Sequence, residues 1–79
     1  MQPGQKIREI LFEERITQVG LARRMDVTAG MVNHILKGRT RVSKGVAVKL
    51  AKALPEYDAS FFAALQAMAD VMDTKDIGD

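Results

Sequence analysis

The 79-residue chain contains no cysteine, which excludes disulfide bonds and thiolate metal sites. Proteins of reducing compartments commonly have this composition. The longest uninterrupted apolar run covers only residues 61–65, whereas a helix needs about 20 apolar residues to cross a bilayer. The N-terminal sequence MQPGQKIREI has no apolar segment of the kind that a secretory signal requires. These absences predict a cytoplasmic protein without a transmembrane helix.

Motifs for enzyme chemistry are also missing. The sequence has no P-loop, no GxGxxG segment and no pair of histidines. The adjacent carboxylates of Glu13 and Glu14 point to different faces of a helix and so do not form a catalytic pair. The lone histidine, His34, has no cysteine or nearby acid with which to hold a metal. We therefore expect no enzymatic activity, no cofactor and no metal site.

Charge is distributed unevenly along the chain, although the net charge is only +2. Residues 15–52 carry nine basic side chains and one acidic one, whereas residues 53–79 carry one basic and six acidic side chains. A basic middle and an acidic end predict one face that binds a polyanion and a second surface that stays away from it. A solvated helix surface gives the same charge pattern, so charge alone does not decide between these two interpretations.

Apolar spacing and capping residues predict five short helices and no strand, in a single domain over residues 1–79. The first helix covers about residues 4–14. The later helices begin after residues whose side-chain oxygens can cap a helix N-terminus: Thr17, Thr28, Ser43 and Asp58. Gly38 and Pro55 end the third and fourth helices. The fifth helix is expected over residues 58–72, followed by a tail over residues 73–79.

The second and third predicted helices are short, tightly joined and followed by a basic loop, as in a helix-turn-helix. The segment TQVGLARRMDVTAGMVNHILKGRTR resembles the helix-turn-helix of the Cro and lambda-type repressor family. The matching positions are Thr17, Gln18, Leu21, Ala22, Val27, Thr28, Val32, Ile35 and Gly38. Together with Pro3 and Gly4 before the first helix, the stretches ILKGRTRVSKGVAVKLAKAL and LQAMAD resemble the HigA or VapI antitoxin branch of that family. This resemblance implies an all-α, five-helix, lambda-repressor-like fold.

The resemblance also implies that the third helix reads base edges in the major groove of DNA, through Ala29, Gly30, Asn33 and His34. Asn33 can form two hydrogen bonds to an adenine, an interaction worth about 1–3 kcal/mol of discrimination. His34 can donate to guanine or bind a phosphate. Ala29 can contact a thymine methyl group, and Gly30 permits only a close backbone approach. For Asn33 and His34 the alternative is a plain exposed polar side chain.

Phosphate contacts are implied by the same resemblance at helix starts and in the basic turn. The residues are Gln18, Thr28, Arg39, Arg41 and Lys44. Free N–H groups at a helix start attract anions and support the first two of these positions. Capping is the alternative role for Gln18, and Thr28 can cap and contact phosphate together. Arg23 and Arg24 either reach flanking phosphates or lie on a solvated face. Ala22, Val27, Val32, Ile35 and Leu50 are expected in the core.

The predicted fifth helix is apolar over a wider surface than one small core can cover. We expect the same helix of a second copy to cover it in a two-fold homodimer. The predicted interface residues are Phe61, Phe62, Leu65, Met68 and Met72. Such a dimer would place two recognition helices about 34 Å apart and predicts an inverted-repeat DNA site. Burial of these side chains against the core of the monomer is the alternative.

The chain is therefore predicted to be a sequence-specific repressor that binds a double-stranded operator as a homodimer. The resemblance further implies a HigA-like antitoxin that represses its own operon and neutralises a RelE-type ribonuclease toxin. Two other functions remain open: a stand-alone phage or prophage-type regulator, and a protein-interaction module that has lost specific DNA binding. The small residues Ala29 and Gly30 favour the module, whereas the basic residues Arg39 and Arg41 argue against it.

Overall fold

A computed structural model describes residues 2–78 of the chain, with side chains described for residues 2–72. Over this range the backbone forms helices and no strand, which confirms the all-α prediction. The helices are α1 (Pro3–Glu14), α2 (Gln18–Met25), α3 (Ala29–Leu36), α4 (Lys44–Ala53) and α5 (Ala59–Gly78). Neither α5 nor any other helix in the described part of the chain combines the length and apolarity that a membrane span requires.

Side-chain caps determine where the last four helices begin. The hydroxyl oxygens of Thr17 and Thr28 accept hydrogen bonds from the backbone N–H groups three residues later, at 2.9 and 3.1 Å. Ser43 caps α4 in the same way at 3.3 Å. At α5 the cap is a carboxylate, because Asp58 accepts from the Phe61 N–H at 3.0 Å. All four predicted caps are confirmed.

The helix ends are also determined locally. Arg15 and Asp26 adopt left-handed conformations, each with φ of 58°, and terminate α1 and α2. Gly38, with φ of 76°, lies two residues after the end of α3, next to the C-cap residue Lys37. Only glycine adopts this conformation without a steric cost from Cβ. Because Asp26 ends α2 in a left-handed conformation, only three residues separate α2 from α3.

The helices enclose one hydrophobic core. α1 packs against α3 and α5, α2 packs against α3 and α4, and α4 packs against α5. Ala22, Val32, Ile35 and Leu50 are buried there as predicted, and Val27 packs against the core with partial exposure. α1 approaches the end of α3 closely at Gly4, where a Cβ atom would overlap the carbonyl oxygen of Leu36.

α5 differs from its prediction in length. It begins after the expected cap, but its last residue, Gly78, lies beyond the expected end at residue 72. The predicted tail over residues 73–79 therefore overlaps the helix, and the side chains of these residues lie outside the described part of the structure. Repeated capping signals define the earlier helix ends, whereas no glycine or proline after residue 55 stops α5 before Gly78.

α5 also differs from its prediction in how its apolar side chains are used. Phe62 was predicted at a dimer interface, but its exposed fraction is 0% and it belongs to the monomer core. Phe61 and Leu65 are partly buried and pack against the same core. Phe62 faces α4 and α1, and its ring also contacts those of Tyr57 and Phe61, with centroids 6.0 and 5.2 Å apart. Three of the five residues predicted at the dimer interface are thus wholly or partly buried within the monomer.

Candidate nucleic-acid interface

The outward surface of α3 carries the residues predicted to read base edges. Ala29, Gly30 and His34 are exposed, and Asn33 is half-buried. The other side of the same helix contributes Val32 and three further apolar residues to the core. Burial of one side fixes the rotation of the helix about its axis. The four predicted base-reading positions therefore lie away from the core.

Gln18 and Asn33 are joined across the two helices of the pair. The Asn33 Nδ2 atom lies 3.5 Å from the Gln18 Oε1 atom, a long and exposed hydrogen bond. Gln18 is the first residue of α2, so the start of α2 lies beside the middle of α3. The contact leaves the Gln18 amide nitrogen and the Asn33 carbonyl oxygen facing other directions. Two residues that are 15 positions apart in sequence thus form one polar surface.

The basic turn after α3 folds back onto the end of that helix. The backbone N–H groups of Arg39 and Thr40 donate to the carbonyl oxygen of His34, at 2.9 and 3.3 Å. The side chain of Arg39 is exposed in this turn. Lys44 is the first residue of α4 and is also exposed. The backbone of Arg39 therefore lies beside the C-terminal end of α3, and Lys44 follows five residues later in the chain.

Arg41 has an acidic partner that the sequence analysis did not predict. Its Nη1 and Nη2 atoms each lie 2.8 Å from an oxygen of Asp70 and form a bidentate ion pair. The hydrogen bond from this guanidinium, together with one from Gln66, holds the pKa of the Asp70 carboxyl below its usual range. The same hydrogen bond raises the pKa of Arg41. The pair is thus ionised at neutral pH.

Gln66 also connects α5 to the turn through the backbone. Its Oε1 atom accepts from the N–H of Val42 at 2.8 Å, and its Nε2 atom donates to Asp70 at 3.0 Å. The only sequence signal for these contacts is the four-residue spacing of Gln66 and Asp70 on one helix face. That spacing does not reveal that the turn, 24 residues earlier, packs against them.

The two arginines of α2 differ in their contacts. Arg24 donates from Nη1 to the carbonyl oxygen of Ala53 at 3.2 Å, which satisfies a backbone group at the end of α4. Arg23 is exposed.

In the described part of the chain no group of three histidine, aspartate or glutamate side chains could hold a metal ion.

The profile of the helix-turn-helix family matches residues 5–62. No curated protein matches the chain significantly. Two similar solved structures are PA4674 of Pseudomonas aeruginosa in complex with its operator DNA, of 18 and 28 bp. They are 29% and 28% identical to this chain, with a TM-score of 0.85 in both cases. Each alignment covers 94% of this chain and 80% or 81% of the other.

A third similar structure is the Pseudomonas aeruginosa antitoxin HigA with the higBA promoter. It is 31% identical, with a TM-score of 0.78, over 98% of this chain and 89% of that one. The family match spans both helices of the α2–α3 pair and the turn that follows them. The chain belongs to the helix-turn-helix family, a class of regulators that is typically non-enzymatic.

Proposed function

We propose that this chain is a sequence-specific DNA-binding transcriptional repressor that places α3 in the major groove. The observation that carries the proposal is the joined surface of α2 and α3, on which Gln18 and Asn33 meet at the outer side of a buried helix pair. The similar structures of PA4674 and HigA contain operator or promoter DNA, which supports the same role here. Their alignments cover nearly the whole of this chain.

Asn33 is the proposed base-reading residue. Its Nδ2 group has two hydrogens, so one can bond Gln18 while the other donates to N7 of an adenine. Its Oδ1 atom then accepts from N6 of the same base. The bond to Gln18 restrains the amide in one orientation and thereby lowers the entropy cost of contact. Ala29, Gly30 and His34 complete the surface that faces the base edges.

Phosphate contacts are proposed on both sides of this surface. The Gln18 amide nitrogen can donate to a phosphate because its carbonyl oxygen is the atom that faces Asn33. Thr28 accepts from Met31 through its hydroxyl oxygen, so its hydroxyl hydrogen can still donate to DNA. Arg39, Arg41 and Lys44 would contact the DNA backbone beyond the end of α3.

We further propose that two copies pair through the exposed apolar face of α5. Met68, Val71 and Met72 are 59%, 66% and 52% exposed, although all three are apolar. Exposed contiguous apolar surface commonly marks an interaction site. With Phe62 buried in the monomer, the proposed interface lies nearer the C-terminal part of α5 than the sequence predicted. A two-fold pair would read an inverted repeat.

The dimer is tested by sedimentation of Met68→Glu against Val48→Glu. Val48 is another exposed apolar side chain, on α4, so it controls for the general effect of an added charge. We expect the wild type and Val48→Glu to sediment as dimers and Met68→Glu as a monomer. A wild type that stays monomeric up to millimolar concentration would contradict the proposed pairing.

An antitoxin role is the finer proposal. The similarity to the antitoxin HigA over 98% of this chain supports an antitoxin that represses its own operon and neutralises a RelE-type ribonuclease toxin. A stand-alone phage or prophage-type regulator is the second candidate, because operator binding of the kind seen in the PA4674 complexes requires no toxin. A reading frame for a small basic protein directly beside this gene, whose toxicity this chain suppresses on co-expression, would favour the antitoxin. A gene with no such neighbouring reading frame would favour the stand-alone regulator.

DNA binding itself is tested by selecting bound fragments from a random duplex library at near-physiological salt and sequencing them. We expect a two-fold symmetric motif with half-sites about ten base pairs apart. Asn33→Ala should relax one position in each half-site, whereas Gln5→Ala, an exposed amide on α1, should leave the motif unchanged. Salt-sensitive binding without any motif, or no binding, would overturn the proposal in favour of a protein-interaction module.

A further inference from the structure

The ion pair between the basic turn and α5 uses the donors that a DNA phosphate would need. Both Nη atoms of Arg41 bond the carboxylate of Asp70, at 2.8 Å each. A carboxylate and a phosphate offer a guanidinium the same two-oxygen geometry. In the protein without DNA, the two Nη donors of Arg41 are therefore already bonded to a carboxylate of its own chain.

The carboxylate is held in place by more than this arginine. Gln66 donates to Asp70 at 3.0 Å and accepts from the Val42 N–H at 2.8 Å, so turn and helix share a network of three side chains. The network lines a pocket of about 210 Å³ with Arg39 and Thr40. Asp70 is thus a fixed negative charge beside two arginines of the basic turn.

The ion pair is open enough to be exchanged for another partner. The side chain of Arg41 is 66% exposed and that of Asp70 is 41% exposed. Exposed ion pairs are weak because water and salt screen them. A phosphate that approaches along the DNA backbone can therefore displace the carboxylate, but must compete with it.

We propose that Asp70 is an intramolecular competitor of DNA phosphate for Arg41, and that it lowers the sequence-independent part of DNA affinity. This inference rests on the proposed DNA-binding function and names a residue that regulates it. Non-specific DNA affinity comes almost entirely from phosphate contacts, so a carboxylate that occupies one cation weakens it for every sequence alike. Base contacts from α3 then contribute a larger share of the total binding free energy.

The test compares the DNA affinities of the wild type and D70N over a range of salt concentrations, by fluorescence anisotropy. The probes are the selected duplex and a mixed-sequence duplex of equal length. Asparagine has the shape of aspartate and keeps an acceptor for Gln66, so the fold is retained, which thermal melting checks. E56Q removes a negative charge from the loop before α5 and is the matched control. R41Q and R41Q/D70N show whether any effect passes through Arg41.

We expect D70N to bind both duplexes about two- to fivefold more tightly, the range that an exposed ion pair supports. The dependence of log K on log salt should steepen by up to about 1, because in the wild type Arg41 is only partly available to a phosphate. E56Q should change affinity much less, and D70N should have no further effect in the R41Q background.

Three results would overturn the inference while leaving the DNA-binding function intact. Weaker binding by D70N would show that Asp70 aligns Arg41 for DNA instead of competing for it. Unchanged binding would show that the ion pair has no influence on DNA affinity. An equal gain in the R41Q background would show a general charge effect. If neither the wild type nor D70N binds any duplex at low salt, the proposed function fails and the inference fails with it.

Discussion

The α2–α3 pair and α5 use their surfaces in different ways. In the pair, apolar side chains face the core. The outward surface of α3 consists of small and polar residues, and Asn33 on it contacts Gln18 of α2. α5 has two apolar surfaces, one buried around Phe62 and one exposed around Met68 and Val71. A third side of α5 is polar and contacts the basic turn. The outward surface of α3 is therefore suited to a polar partner, whereas α5 also exposes a contiguous apolar surface.

This difference shows how a small domain divides stability from binding. The pair is positioned by burial and by hydroxyl caps, so its outward residues can vary without loss of the fold. α5 contributes to the core, to the turn and to the proposed interface at once, because each of its sides contacts something different. A change on α5 is therefore expected to have effects that depend strongly on which side it affects.

The largest expected effect separates the two apolar sides of α5. Phe62→Ala should lower the free energy of unfolding by about 3–5 kcal/mol, because it removes a fully buried aromatic ring. Met68→Ala removes a side chain that is 59% exposed and should cost less than about 1 kcal/mol at concentrations where the protein is monomeric. Urea denaturation measures both. Phe62→Leu provides a milder change if Phe62→Ala does not fold, and equal costs at the two positions would contradict the distinction.

A second expected effect separates the two ends of α3. Gly4→Ala should cost about 1–3 kcal/mol, because its methyl group would overlap the backbone of Leu36 and lie 2.8 Å from the Ile35 oxygen. Backbone atoms cannot move aside as the end of a long side chain can. At the start of α3, a Cβ on Gly30 would meet only the Thr28 hydroxyl, at 3.8 Å.

Gly30→Ala is therefore the matched control. It should leave stability unchanged or raise it by up to about 1 kcal/mol, since alanine favours helices over glycine. Thermal and urea unfolding of the two variants measure the difference. If Gly4→Ala were as stable as Gly30→Ala, the close packing of α1 on the end of α3 would not be required for folding.

The smallest expected effect separates the helix starts by pH. Asp58 caps α5 with a carboxylate, and hydrogen bonds from Ser60 and from the Phe61 N–H lower its pKa. A lowered pKa in the folded state means that this stabilisation is present above the unfolded pKa, about 4, and is lost as pH falls through the lower folded pKa. Thr28 caps α3 with a hydroxyl, which does not titrate in this range.

On acidification, the amide signal of Phe61 should therefore shift with an apparent pKa below that of an unperturbed aspartate, while that of Met31 stays constant. An NMR pH titration measures both signals. Asp58→Asn retains a good cap but cannot titrate, so it should abolish the shift at Phe61. Equal pH dependence at Phe61 and Met31 would contradict the assignment of the two caps.

The parts of the molecule that the sequence predicted well are those determined by neighbouring residues. Thr17, Thr28 and Ser43 each bond a backbone group three positions later, so their roles are visible in sequence. Apolar periodicity likewise placed Val32 and Ile35 in the core.

The misjudged parts depend on which helices meet. Phe62 and Met68 are both apolar residues of α5, and only the position of α4 and α1 beside that helix decides which of them is buried. The pairing of Arg41 with Asp70 joins residues 29 positions apart, which no local pattern reveals. The base-reading and phosphate roles remain predictions, since they concern a molecule outside the chain.

The most direct test of the DNA-binding surface is to follow backbone amide signals of the wild type by NMR while a selected duplex, or a mixed-sequence duplex at low salt, is added. We expect the largest changes at Gln18, at Asn33 and in the turn that contains Arg39. Residues on the outer side of α1, such as Phe12, should change little. Changes concentrated on α1 or on the exposed apolar face of α5, with α3 unaffected, would contradict the proposed interface.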